Sequence, residues 1–239
     1  MRLVKQRITK LIKSSKLGSG VLNRPFTVGV EGNIGSGKTT FLEHFKNHED
    51  VHISAEPVDR WRNLNGHNLL GLLYQDPQKW SFTFQSYVQL TMLQNHLNKI
   101  EKPVNLMERS IFSARYCFVE KLSRDGILSP PSVAVIDSWF HWITTKMNVD
   151  VDLIVYLRTS PEVVYQRILK RNRPEEISIS LDYIKSLHEL HEDWLYHKRL
   201  HKCPAPVLIV DADLDKTKIK KEYQRWEPNI LNKKFGAHI

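Results

Sequence analysis

The sequence predicts an α/β fold: a doubly wound, five-stranded parallel sheet with a phosphate-binding loop at the end of its first strand. Three observations predict it. Five short apolar runs alternate with longer helical patterns along the 239 residues. The first run leads straight into EGNIGSGKTT (31–40), which holds Gly32, Gly37, Lys38 and Thr39 at the spacing G-x-x-x-x-G-K-[ST]. Four of the five runs end in phosphate-binding or charged residues, and ligands of such sheets gather at the carboxyl ends of the strands.

Taken in order, PFTVGVEG (25–32) reads as a buried strand, and TTFLEHFKNH (39–48) as the helix opening at the loop. VHISAEP (51–57) is a second strand, stopped by Pro57. PVNLMER (103–109), VDLIVYLRT (151–159) and APVLIVDAD (205–213) supply the other three. Helical periodicity covers 80–100, 110–122, 132–147, 160–171 and 180–200. Apolar strands between helices indicate a sheet buried on both faces. There is neither an internal repeat nor a linker, so 25–239 reads as one domain.

Residues 1–24 stand apart. They hold Arg2, Lys5, Arg7, Lys10, Lys13, Lys16 and Arg24 and no acid, so only +2 of the +9 net charge belongs to the body. A nearly neutral body argues against a nucleic-acid partner. Val4, Ile8, Leu11 and Ile12 fall at helical spacing among the basic residues, the pattern of a transit peptide. We therefore expect mitochondrial import; a basic tail on a cytosolic or nuclear protein is the alternative. No apolar run approaches the ~18 residues of a membrane helix, so no membrane partner is expected. The two cysteines, Cys117 and Cys203, have neither metal-type spacing nor the look of a disulfide framework.

The loop raises the question of where the phosphate goes. Its backbone N–H groups, from Gly32 through Asn33, Ile34, Gly35, Ser36 and Gly37 to Thr40, suit a nucleotide's phosphates, with Lys38 reaching the terminal ones. The D-x-x-G and N-K-x-D segments of a GTPase switch are absent, and the third strand ends in one acid followed by Arg-Ser. A kinase needs a base for its acceptor and positive charge over the phosphates. Glu56, in AEPVDRW beside Trp61, is a candidate base. Arg167 and Arg171 share a helix face, Arg173 follows, and Pro174 breaks the helix, so 167–177 reads as a lid. A solvated basic helix end would show the same residues.

An acceptor pocket is legible in WSFTFQSYVQLTMLQNHL. Gln85, Val88 and Met92 share one helix face, and a buried amide on an apolar stripe needs a partner. A planar heterocycle would suit it. Ala114 and Phe118, four apart on SARYCFVE, could add a small wall and a stacking ring.

EGNIGSGKTT, EPVDRWRN, FQSYVQLTML, ERSIFSARYCFVE, LRTSPEVVYQRI and LHELHEDWL together resemble the deoxynucleoside kinases, above all their multisubstrate insect and mitochondrial thymidine kinase branches. The resemblance covers roughly residues 25–225. It implies a fold of the nucleoside and nucleotide kinase type, ATP as phosphate donor, Mg²⁺, deoxynucleoside acceptors and a homodimer. By position it implies Glu56 as the base for the 5′-hydroxyl, with Arg109 holding Glu56 and the incoming phosphate. Thr39 and Glu108 match the Mg²⁺ site, and Tyr74 and Glu176 the pair holding the 3′-hydroxyl. Gln85 matches the base-reading amide, Phe118 the stacking ring and Trp61 a pocket wall. DADLD resembles the loop beside the donor's adenine, bringing in Asp211, Ala212 and Asp213. Leu73 precedes Tyr74 where the resemblance leads one to expect Met.

The expected reaction is ATP-dependent 5′-phosphorylation of deoxyribonucleosides, thymidine and deoxycytidine ahead of the purines, in nucleotide salvage. The rivals are a thymidylate-type nucleoside monophosphate kinase and a P-loop nucleic-acid-binding ATPase. HELHEDW offers no zinc site, because Leu195 stands where a second histidine would be needed after His191.

Overall fold

The computed structural model describes residues 24–231. The leader pattern therefore lies outside the described residues, apart from Arg24. That arginine belongs to the fold: its Nη1 and Nη2 donate to both carboxylate oxygens of Asp152, at 2.7 and 2.9 Å.

Strands β1 (Phe26–Glu31), β2 (Val51–Ser54), β3 (Val104–Glu108), β4 (Leu153–Arg158) and β5 (Val207–Asp211) form one parallel sheet in the order β2-β3-β1-β4-β5. The chain thus starts at the centre, builds one side, then crosses to the other. A crevice opens where the winding reverses, and the loop after β1 occupies it.

Successive strand residues point to opposite faces. Leu153, Val155 and Leu157 pack on one side with Phe41 and Phe45, while Ile154 and Tyr156 pack on the other with Leu187, Leu190 and Trp194. Helix α1 (Lys38–His44) brings Phe41 edge-on to Tyr223, ring centroids 4.9 Å apart. A third apolar cluster gathers Trp61, Phe84, Val88, Met92, Ile111 and Ala114.

Several boundaries differ from the sequence-based expectation. Ala55, Glu56 and Pro57 leave the sheet after Ser54. Two short helices, α2 (Val58–Arg62) and α3 (Leu69–Gln75), follow without a sequence signal strong enough to separate them from loop. Helix α4 (Pro77–Leu97) starts before residue 80, because Asp76 caps it through the Lys79 N–H and Pro77 suits its first turn. The stretch 111–124 is not one regular helix: α5 (Ile111–Ser113) runs into a π-helical Ala114–Val119 and then α6 (Glu120–Arg124). Helix α7 (Pro130–Lys146) and α8 (Pro161–Arg171) fall close to expectation. Helix α9 (Leu181–His191) ends in a π-helical turn, Glu192–Tyr196. Helix α10 (Lys216–Leu231) was not foreseen; its sequence is rich in charge, but Ile219, Tyr223, Trp226 and Ile230 repeat at helical spacing against the sheet. Among the described residues no helix is long and apolar enough to cross a membrane.

Candidate active site

The loop wraps a phosphate-sized concavity because its glycines permit it. Gly32 stands at φ +145°, and a Cβ there would lie 2.8 Å from the Leu157 carbonyl oxygen. Lys38 is buried and folds back on the loop, its Nζ donating to the carbonyls of Asn33 at 2.8 Å and Gly32 at 3.2 Å. Burial brings its ammonium down to about 7. The buried Ser36 hydroxyl has no protein partner among the described residues. Beside the loop, the Thr39 hydroxyl donates to Glu108 Oε1 at 3.0 Å. Hydroxyl and carboxylate are hard oxygen donors, the kind Mg²⁺ takes alongside nucleotide phosphates, so the residues present fit that ion.

From the loop a continuous cavity of about 1010 Å³ runs to the third apolar cluster. Glu56 and Arg109 both line it, and Arg109 Nη1 donates to both oxygens of Glu56, at 2.8 and 2.9 Å. Burial opposes the charge of Arg109, but Glu56, Glu108 and Glu31 outweigh it and raise its pKa. The guanidinium carbon sits 4.9 Å from the Phe118 ring centre. Arg109 is also strained, at φ +59°. Its N–H to the Val30 carbonyl holds one side of that turn. On the other side Glu31 Oε1 accepts from the Ser110 N–H at 2.9 Å and its hydroxyl at 2.6 Å. Glu31 was missed in the sequence, hidden as the opening letter of the loop motif; burial raises its pKa to about 6.

The apolar end is walled by Trp61, Leu73, Val88, Met92 and Ala114, with Gln85 among them. Trp61 is fixed by its Nε1–H to Thr91 Oγ1, 2.9 Å, and stands edge-on to Phe84. Tyr74 lines the same cavity, and burial raises its pKa well above the ordinary value. Neighbouring Tyr183, not foreseen from the sequence, also lines it.

The lid segment is arranged differently from the expectation. Arg167 Nη2 donates to the Ala212 carbonyl at 2.9 Å and Nη1 to the Ser36 carbonyl at 3.4 Å, bridging the loop and the segment after β5. Arg171 is held by Glu176, with Nη2 2.6 Å from both carboxylate oxygens, and Arg173 Nη1 lies 3.5 Å from Glu176. Arg171 and Arg173 thus cluster with the carboxylate expected at the sugar, while Arg167 stands apart from it. Among the expected residues, Gly32, Asn33 and Asp211 do not line the cavity. Asn33 is turned inward, its Nδ2–H donating to the Ile184 carbonyl at 2.9 Å. Asp211 is the exposed last residue of β5 and accepts from the Asp213 N–H, while Asp213 accepts from the Ser160 N–H at the start of α8. His191 is buried, its Nδ1 2.6 Å from the Leu187 carbonyl. Among the described residues no three His, Cys, Asp or Glu could hold a metal together.

A family model, "Deoxynucleoside kinase", matches residues 28–232. The chain belongs to the deoxynucleoside kinase family. Among its relatives, "Thymidine kinase 2, mitochondrial" of Homo sapiens is 49% identical over 209 residues, covering 87% of this chain and 79% of that protein. "Deoxycytidine kinase 2" of Gallus gallus is 34% identical, covering 88% of this chain and 91% of that protein. "Deoxycytidine kinase" of Mus musculus is 35% identical, covering 79% and 84%. This deoxynucleoside kinase is therefore a phosphotransferase of nucleotide salvage that takes phosphate from ATP and passes it to a deoxynucleoside. Family membership separates it from the two rivals, the nucleotide kinase and the nucleic-acid-binding ATPase.

Proposed function

We propose that this kinase phosphorylates the 5′-hydroxyl of pyrimidine deoxynucleosides, thymidine and deoxycytidine alike, and purine deoxynucleosides more weakly. The observation that carries the reading is the Glu56–Arg109 pair, which lines the same cavity as the phosphate loop and Gln85. Glu56 accepts the hydroxyl proton as the oxygen attacks the γ-phosphorus, and Arg109 holds Glu56 in place. Lys38, the loop N–H groups and the lid arginines stabilise charge on the transferring phosphoryl group. Thr39 and Glu108 would hold Mg²⁺, which supplies neutralisation of phosphate charge when bound.

At the acceptor end, Gln85 offers a donor and an acceptor to a pyrimidine's pairing edge, and a flipped amide serves either thymine or cytosine. Phe118 stacks on the base, and small Val88 and Ala114 leave room for a 5-methyl group. Tyr74 and Glu176 hold the 3′-hydroxyl, with Tyr74 crowding out a ribose 2′-hydroxyl. Leu73 completes the wall in place of Met. Ala212 and Asp213 flank the adenine of ATP.

The kinase acts as a homodimer through the faces of α4 and α7, where Phe82, Leu90, Leu97, Val135, Trp139 and Trp142 are exposed. Similarity to a human relative whose name places it in mitochondria, together with the basic leader pattern, supports mitochondrial residence over a cytosolic or nuclear one. The deciding experiment is kcat/KM for the four deoxynucleosides with ATP and Mg²⁺. Comparable values for thymidine and deoxycytidine, with lower ones for both purines, are expected; a purine preference would overturn the reading.

A further inference from the structure

The lid turn, a 3₁₀ segment at Pro174–Glu176, carries two adjacent carboxylates that face different partners. Glu176 faces Arg171, the last residue of α8, and Arg173 just beyond it. Glu175 faces the acceptor wall: Arg62 Nε donates to its Oε1 at 2.9 Å and Arg62 Nη2 to its Oε2 at 3.1 Å. This is the two-pronged geometry in which an arginine fixes both the distance and the plane of a carboxylate. Arg62 first, and Asn68 more weakly, hold the Glu175 carboxyl below its usual range. Asn68 caps α3 by accepting from the Gly71 N–H at 2.8 Å.

Each of these partners ends or begins a helix that carries a pocket residue. Arg62 is the last residue of α2 and follows Trp61 directly; Asn68 precedes α3, which carries Tyr74. Both helices are short, and an isolated helix of that length has no stability of its own. They pack on each other in one apolar cluster, and the Arg62–Glu175 pair ties the end of α2 to the lid turn.

We infer that the Arg62–Glu175 ion pair is a clamp that positions the nucleoside wall against the lid. Arg62 is a positioning residue: it acts through Trp61 and Tyr74 on one side and Glu176 on the other. This rests on the proposal that those three residues enclose the nucleoside. Because the clamp orders the acceptor wall rather than the phosphates, its loss is felt in nucleoside affinity.

The test is steady-state kinetics on the full chain, varying thymidine and ATP in turn, with thermal unfolding alongside. The variants are Arg62→Ala, Glu175→Gln and the reversed pair Arg62→Glu/Glu175→Arg. Each single change is expected to raise the thymidine KM about five- to tenfold, with kcat and the ATP KM within about twofold. The reversed pair should recover most of the loss. Unchanged thymidine KM in both single variants overturns the clamp. So does a reversed pair no better than the singles, or a fall in kcat and in thermal stability without a KM change. Turnover of thymidine by the wild type, and its loss in Glu56→Gln, tests the phosphotransferase reading separately, so the two can fail independently.

Discussion

Arg109 Nη1 lies 2.8 Å from Glu56 Oε2, joining the residue just past β3 to one just past the edge strand β2. Both residues line the cavity, and Arg109 reaches Glu56 from a left-handed backbone that ordinary residues avoid. Such strain costs of order 1–3 kcal/mol and persists only where its surroundings enforce it. Here Val30 and Glu31 enforce it, through the Arg109 N–H and through Ser110.

Glu31 gives a pH-dependent consequence. Its folded pKa, about 6, lies above the ordinary 4.5. A raised carboxyl pKa contributes stability that is fully present below about 4.5 and lost as pH rises through about 6. Above that, the buried charge costs roughly 2 kcal/mol. Glu31→Gln keeps an acceptor for Ser110 and carries no charge. Relative to wild type it should be near-neutral at pH 4.5 and stabilised at pH 8, as read by thermal unfolding of both proteins. A difference that does not grow with pH would contradict this.

Arg171 lines the cavity and is bonded to Glu176. Arg171→Ala should therefore lower kcat at least tenfold through lost charge on the phosphoryl group, and also raise the thymidine KM a few-fold as Glu176 loses its partner. Rapid-quench turnover and thymidine titration separate the two. A change in thermal stability alone would return Arg171 to an ordinary helix end.

Ala114→Asp should move base preference. It fills the space beside Gln85 and sets an acceptor against the thymine methyl, while an adenine amino group gains a partner. A buried polar group left unpaired costs about 1–3 kcal/mol, so the ratio of kcat/KM for thymidine over deoxyadenosine should fall about tenfold. An unchanged ratio would mean that Ala114 does not meet the base.

Residues 1–20 fused to a fluorescent protein should direct it to mitochondria if the acid-free amphipathic pattern is a leader. A diffuse or nuclear signal would contradict import.

What was legible in the sequence follows from local physics. The five strands and the phosphate loop announce themselves through apolar runs and a fixed spacing, and the Gln85–Val88–Met92 stripe through helical periodicity. Helices α2 and α3 did not, because they are too short for a period and depend on Asn68 and on contacts distant in sequence. The Arg62–Glu175 pair spans 113 positions, so nothing near either residue signals it. Asp211 was misplaced because an exposed residue at a strand end looks, in sequence, like one aimed into the crevice. Helix α10 was hidden by its charge, although Ile219, Tyr223, Trp226 and Ile230 keep the period.

The central claim is that Glu56 takes the proton of the acceptor hydroxyl while Arg109 holds it. The most direct measurement is single-turnover phosphorylation of thymidine by Glu56→Gln, with the thymidine Kd determined independently. Turnover is expected to fall about 10²–10⁴-fold while Kd changes only a few-fold. Near-normal turnover in Glu56→Gln would contradict it.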